Sequence, residues 1–517
     1  MFVNDDLHKI GQRLVSGFPG TSMSPAFIEL VRKYKVANVI LFRWNIESRE
    51  QLRRLCHDIQ ELVLAETGTP AFITIDQEGG MVTRLCEEAG NVPGAMALCA
   101  TQKPENIRLA GEITGRELRA MGINFDLAPD MDVNDNPNNP VIGVRSYSDD
   151  PHKVAAMGVE MIRGLTQADV LCCAKHFPGH GNTAVDSHLG LPRVDKSLEE
   201  LEQMELIPFR AAIEAGIPAI MSSHILFPQL EPDGVPATMS RRIMTGLLKE
   251  KLGFSGLIIS DCMQMNAIQT YYGTVQGVAS AIHAGVDLVF ISHDANLAAQ
   301  AAQRVMEDLQ SGVLDRAEMD ASVEKILAYK ERYATLEPLS ADYAGCEAHQ
   351  SEIRRMLAES MTVVQQPESG LPSLGDSPLF VGSRPFRTTE ASNKEPETFN
   401  FAEYLAPRFG GTATVISPNP SQEEIDRILE EAKGHSCLIF GSYNGHLNEG
   451  QQILSQKLAA TQQPMIQVAL RNPYDLKGLP SHVYALEAYE YTLQCLDVIA
   501  QVLSGEIVPT GVLPVQL

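Results

Sequence analysis

The chain has 517 residues, with 41 lysines and arginines against 65 aspartates and glutamates, giving a formal net charge of −24. An acidic balance of this size repels phosphate, and no basic run with interleaved aromatics offsets it, so a nucleic-acid partner is excluded as an expectation. Apolar residues at 44% and charged residues at 21% exclude a disordered chain, and no stretch of about 20 apolar residues is present to form a membrane-crossing helix. In chain order, short apolar runs then alternate with helical patterns. Strands are expected over residues 14–18, 37–42, 71–76, 123–128, 170–176, 218–224, 257–261 and 288–292. Most are continuous apolar runs, as strands buried on both faces are. Helices are expected over 48–66, with Leu52, Leu55, Ile59, Leu62 and Val63 on one face, and over 197–215, where Ser197 and Glu200 have capping-box spacing. A helix over 320–333 ends this region.

Eight strands alternating with helices predict an α/β fold, a closed (β/α)8 TIM-type barrel over residues 1–334. Period alone leaves an open doubly wound sheet as the alternative. Residues 335–362 read as a linker, marked by Pro338, and a connecting helix over 348–361. Residues 363–517 repeat the alternation on a smaller scale, with strands over 379–382, 412–417, 437–443, 465–470 and 483–486 and a helix over 421–433. A three-layer αβα sandwich domain is expected there. The polar stretch within 375–407 reads as a surface loop.

Charged residues that end buried strands need a reason, because an unpaired buried charge is costly. In a barrel, the C-terminal strand ends converge on one face. Strand three ends at Asp76, strand four leads to Asp130 and Asp132, and strand five ends in Lys175 and His176. Strand six ends Ser222-Ser223-His224, and strand seven ends Ser260-Asp261. The densest polar stretch, KHFPGHGNTAVDSHLGLP, runs from Lys175 to Pro192. His176 and His180 have the spacing of a helical zinc pair, but Pro178-Gly179 breaks a helix there and Lys175 repels a cation, so no metal is expected. The same stretch reads as an acid–base loop in which Gly179 and Gly181 permit mobility. On an extended loop Asp186 and His188 project to one side, and a carboxylate beside an imidazole suits it to general acid work near neutral pH. Asp261, after four apolar residues, is a carboxylate at the barrel mouth, able to attack an anomeric carbon. A helix N-cap is its alternative role.

These residues together resemble glycoside hydrolase family 3, in its β-N-acetylglucosaminidase (NagZ-type) branch. The resemblance rests on KHFPGHG followed by Asp186-Ser187-His188, on Ser260-Asp261, and on Asp76-Gln77-Glu78-Gly79-Gly80 with Arg84. Residues 122–129 (GINFDLAP) and 139–146 (NPVIGVRS) extend it. It covers the barrel region, and Arg471-Asn472-Pro473 with Gly511-Val512-Leu513-Pro514 extends it less strongly into the second domain. It implies Asp261 as nucleophile, His188 as acid/base with Asp186 as its partner, and Asp76, Arg84, Arg145, Lys175 and His176 as residues that hold the terminal sugar. Asn182, Ala184, Cys262 and Met81 depart from residues common in relatives, which bears on subsite preference and leaves every proposed catalytic group in place.

The resemblance further implies a retaining exo-β-N-acetylglucosaminidase that acts on muropeptides or chitooligosaccharides in cell-wall recycling and needs no cofactor. A β-glucosidase or other β-hexosidase, and an inactive sugar-binding barrel, remain as alternatives. The carbohydrate is the expected partner, with no nucleic acid or membrane; oligomeric state is left open. Residues Met1 to Lys9 lack the basic-then-apolar order of a signal peptide. Nine cysteines, an odd number in so long a chain, suit reduced thiols. Both features lead to the expectation of a cytoplasmic protein.

Overall fold

A computed structural model describes residues 5–183, 190–386 and 399–517. Its first eight strands are β1 (Leu14–Ser16), β2 (Asn38–Leu41), β3 (Phe72–Ile75), β4 (Phe125–Asp126), β5 (Leu171–Phe177), β6 (Ala219–Ser222), β7 (Leu257–Cys262) and β8 (Leu288–Ile291). They close in that order into a parallel barrel, with β1 paired to both β2 and β8. All eight fall on the expected apolar runs, and closure settles the choice between a barrel and an open sheet.

Both faces of each strand are apolar for a structural reason. Val15, Ile40, Phe72, Phe125, Leu171, Cys173, Leu257 and Ile259 fill the barrel interior. Their neighbours Leu14, Val39, Ile73, Cys172 and Ile258 face the surrounding helices in a second core. Successive side chains on a strand point to opposite faces, so two buried faces give an apolar run with no alternation. The pairing between barrel strands slips register in two places, between Ala174 and Phe177 on β5 and between Ile259 and Cys262 on β7. Lys175, His176 and Asp261 lie inside those two slips. Irregularities of this kind re-aim side chains beside active sites.

The helix Arg49–Thr67 is capped by Ser48, whose side chain accepts from the Gln51 amide. The helix expected over 197–215 is instead two, Leu198–Gln203 and Leu206–Glu214. The capping box of Ser197 and Glu200 forms as expected. The break falls at Met204, whose φ of −136° and ψ of −85° are not helical. Pro208 explains it, since its ring would strike a helical carbonyl at residue 204.

The second sheet contains β9 (Thr362–Gln365), β10 (Pro378–Ser383), β11 (Thr412–Ile416), β12 (Cys437–Ser442), β13 (Met465–Ala469) and β14 (Val483–Glu487). Its order is β11-β10-β12-β13-β14-β9. Five strands are parallel, and β9 adds an antiparallel edge to β14. The sequence reading missed β9, because TVVQ follows the helix Glu347–Ser360 almost directly and only its first residue is buried. β10 forms on the run expected as a strand over 379–382. Of the polar stretch expected as a loop, residues 387–398 lie outside the described residues, and a short helix, Phe401–Leu405, capped by Asn400, follows. Among the described residues no helix is long and apolar enough to cross a membrane. All nine cysteines are free thiols.

Candidate active site

Two strand ends and two loops bring one cluster of charges together at the barrel mouth. Lys175 on β5 donates to Asp76 Oδ1 at 2.8 Å and lies 2.6 Å from Glu78 Oε1. Arg145 closes a 3-10 turn, Gly143–Arg145, in the loop after β4. Its Nε and Nη2 donate to the two oxygens of Glu78 at 2.8 and 2.7 Å. Arg84 Nη2 stands 3.7 Å from Asp76 Oδ2. Gln77 fixes that arginine's backbone, because its Oε1 accepts from the Arg84 amide at 2.9 Å. The sequence-predicted residues Asp76, Arg84, Arg145, Lys175 and His176 are therefore in one network, joined by a residue the sequence reading left without a role, Glu78.

The electrostatics follow from this arrangement. Burial opposes ionisation of Glu78, but Arg145 and Lys175 outweigh it and hold the carboxyl well below the ordinary glutamate value. Burial likewise opposes the charge on Lys175 and on Arg145, and the adjacent carboxylates overcome it, so both are held firmly protonated. Of the two acids that Lys175 bridges, Asp76 has 20% of its side chain exposed and Glu78 only 8%. Glu78 is thus a buried counter-ion, while Asp76 presents oxygen to the mouth.

A second layer lies behind. Asp132 Oδ2 accepts from His176 Nδ1 at 2.7 Å and from the His176 amide at 3.3 Å, and its Oδ1 accepts from the His180 amide at 2.6 Å. This bonding assigns the Nδ1–H tautomer to His176 and leaves Nε2 facing Arg145 Nη2 at 3.5 Å. Asp132 is ionised below its usual range despite burial, because His176 and His180 face it. Asp130 is pushed the other way, well above the carboxylate range, by burial and by Asp132. His180 donates or accepts through Nδ1 with Thr183 Oγ1 at 2.8 Å. Burial and His176 lower its pKa to about 4.

His176 and His180 do not form a metal pair; their rings meet edge-on at 5.6 Å, each occupied by its own partner. Asp130, Asp132 and His176 are the one group among the described residues whose ligand atoms lie close enough to hold a cation. Arg145 already supplies positive charge 3.6 Å from Asp130 Oδ2, an oxygen that accepts no hydrogen bond, and His176 Nδ1 is bonded to Asp132.

Asp261 stands at the end of β7, and its Oδ1 accepts from the Cys262 amide at 2.6 Å. It is not a helix N-cap. The next helix, Asn266–Gln269, is preceded by Met265. Asp186 and His188 lie outside the described residues, as does Ala184. The segment leading to them is described as far as Thr183, and it is tightly held. Asn139 donates to His180 O at 2.9 Å and Gly181 O at 2.8 Å. A Cβ on Gly181 would lie 1.6 Å from Val133 O. The expectation that Gly181 serves mobility is therefore corrected: it permits close packing of two backbones.

The second domain reaches this region. Asn134 donates to Tyr474 Oη at 2.9 Å, and His446 Nε2 lies 3.1 Å from Pro137 O. Met81, in the Asp76–Gly80 turn's extension, accepts the Tyr491 amide on its sulfur at 3.2 Å. Sequence reasoning named Asp130 and Asp132 as strand-end acids without assigning them a role. Their spacing of two, which puts both on one face of an extended chain, was the available signal. His180 and Asn139 lie in stretches the sequence reading singled out, but nothing local in the sequence marks the bonds they make here or the contacts from the second domain.

Residues 7–329 match the family model for the glycosyl hydrolase family 3 N-terminal domain. A β-hexosaminidase A of Pseudoalteromonas piscicida is 35% identical over 334 residues, which span 60% of this chain and 56% of that protein. A β-hexosaminidase of Stenotrophomonas maltophilia is 34% identical over 286 residues, 54% of this chain and 83% of that protein. The solved structure of a glycoside hydrolase family 3 β-N-acetylglucosaminidase from Paenibacillus sp. str. FPU-7 superposes with a TM-score of 0.92 at 35% identity, covering 99% of both chains.

Proposed function

This chain belongs to glycosyl hydrolase family 3, and from that premise we propose that it is a retaining exo-β-N-acetylglucosaminidase. The observation that carries the reading is the Lys175–His176 strand end, locked by Asp76, Glu78 and Asp132 immediately ahead of the segment bearing Asp186 and His188. Relatives named for β-hexosaminidase and β-N-acetylglucosaminidase activity support the substrate class.

In the proposed reaction Asp76, Arg84, Arg145, Lys175 and His176 hold the terminal sugar. An Asp261 oxygen forms a bond to C1 as the C1–oxygen bond to the leaving group breaks, and protonated His188 gives that oxygen its proton. Asp186 orients His188 and favours its protonated form. Neutral His188 then takes a proton from water, which attacks C1 and releases Asp261. Retaining glycosidases generally set two carboxyl groups about 5–5.5 Å apart; an imidazole acid/base does not inherit that spacing.

The proposed setting is cell-wall recycling in the cytoplasm, on muropeptides or chitin fragments. The nine free thiols support a reducing compartment. The test is a 2-fluoro-sugar adduct located by mass spectrometry, with Asp261→Ala and His188→Ala assayed on a panel of aryl β-glycosides. Labelling of Asp261, loss of turnover in Asp261→Ala and preference for the N-acetylglucosaminide are expected. Full activity in Asp261→Ala, or an adduct elsewhere, would overturn the assignment. Preference for the glucoside would move the enzyme to the β-glucosidase alternative.

A further inference from the structure

The charged cluster occupies the β3–β5 side of the mouth. The β8–β1–β2 side carries aromatic rings that the reaction above does not use. Phe42 follows β2 directly, and Trp44 sits in the 3-10 turn Arg43–Asn45. His293 lies two residues past β8. Because β2 and β8 both pair with β1, their C-terminal ends converge. Phe42 and Trp44 stack with ring centroids 4.5 Å apart and planes 16° apart. His293 packs on both, at 4.9 and 5.5 Å.

Trp44 is the chain's single tryptophan. Phe42 covers one face of its indole, yet 49% of the residue remains exposed. It is also held in place: Nε1 donates to Phe18 O at 3.2 Å, and neighbouring Asn45 donates to Phe18 O and Gly20 O at 2.9 and 2.7 Å. Large aromatic rings in water forgo the burial they would have in a core, so a rigidly anchored, half-exposed indole at a cleft rim marks a surface that another flat apolar face covers. A pyranose ring presents such faces through its C–H groups.

The platform is tied to the reacting centre. The His293 amide donates to Gln264 Oε1 at 2.7 Å, and Gln264 is three residues past Asp261. An exo-acting site encloses the terminal sugar and directs the next ring outward, toward the rim. We propose that Phe42, Trp44 and His293 form the stacking subsite for the leaving-group sugar, with Trp44 as its contact face. This rests on the activity proposed above, and the experiment separates the two.

Two substrates divide the roles. The β-fluoride of N-acetylglucosamine has a leaving group of one atom, and N,N′-diacetylchitobiose has a sugar. Trp44→Ala should lower kcat/KM on the disaccharide about tenfold or more and leave the fluoride within about twofold, which also reports an intact fold. Trp44→Phe should restore most of the loss. Equal effects on both substrates, or none, would overturn the subsite. Emission from the single tryptophan gives a readout independent of turnover. Titration of the disaccharide into Asp261→Asn should shift or quench it, and unchanged emission at saturation overturns the subsite. An emission change in a protein that hydrolyses neither substrate would instead overturn the activity and keep the platform.

Discussion

Glu78 grips Arg145 by two parallel hydrogen bonds, Nε to Oε2 at 2.8 Å and Nη2 to Oε1 at 2.7 Å, with Lys175 on the same carboxylate at 2.6 Å. One buried anion thus sets the position of two cations that face the mouth. A planar fork fixes direction as well as distance. Arg145 is two residues past Gly143, which packs so closely on Asn472 of the second domain that a Cβ would lie 2.5 Å from its Oδ1, so this carboxylate also links the domain contact to the site.

Glu78→Gln should leave Arg145 and Lys175 without their shared counter-ion. Breaking a buried pair by removing one partner costs about 3–5 kcal/mol. The melting temperature should fall by several degrees, and kcat/KM should drop at least tenfold. Calorimetry and steady-state kinetics check both; a variant unchanged in either respect would refute the counter-ion role.

His180 makes stability pH-dependent in a defined window. Its native pKa is lowered to about 4 by burial and His176, against about 6.5 when unfolded. Between those values the unfolded chain binds the proton and the folded chain does not, so stability rises with pH there. The contribution is complete above about pH 6.5 and lost as pH falls toward 4, on the order of 3 kcal/mol. Glu78, held low, keeps its contribution through this window and loses it only in stronger acid. Melting curves from pH 4 to 7 should therefore slope, and His180→Asn should flatten them.

Gly181→Ala places a methyl 1.6 Å from Val133 O. Backbone cannot yield as a side-chain tip does, so the loop toward Asp186 and His188 must shift. A displacement of about 1 Å in a positioning element can cost about 100-fold in rate. Activity should fall by one to two orders of magnitude, with a smaller loss in melting temperature. Wild-type kinetics in this variant would show that the loop tolerates displacement.

Gly143→Ala tests the second domain. Gly143 has φ of +48°, and a Cβ there would lie 2.5 Å from Asn472 Oδ1. The strain falls two residues from Arg145. Substrate KM should rise several-fold, and the double variant Gly143→Ala with Asn472→Ala should recover part of it. No recovery would assign the effect to backbone strain alone.

Asp132→Asn leaves one accepting oxygen where two now serve His176 Nδ1 and the His180 amide, and puts an NH2 donor in place of the other. The ring can then adopt either tautomer. We expect kcat/KM to fall about 10- to 100-fold, as when a supporting partner of a functional imidazole is lost, while slow labelling of Asp261 by a fluoro-sugar persists. Loss of labelling altogether would place Asp132 in the reaction itself.

Sequence alone determined the eight buried strands and the residue types at their ends, while closure of those strands into a barrel was decided by the tertiary structure. Two buried strand faces leave apolar runs that need no partner to be recognised, and charges ending such runs stand out because burial makes them costly. That reasoning found Asp76, Lys175, His176 and Asp261. Arg84 and Arg145 came from resemblance, since loop residues carry no periodic signal. Tertiary structure decided the rest. Glu78 became the hub only when β3, β5 and the loop after β4 met around it, over sequence separations that no local pattern spans. Gly181 proved to be a packing residue because Val133 lies against it. β9 escaped notice because an edge strand buries little and so leaves little pattern. The chain's acidity, −24 overall, gave no hint of the paired cations inside the mouth. Net charge describes the sum, while the low-dielectric pocket responds to the few charges within reach.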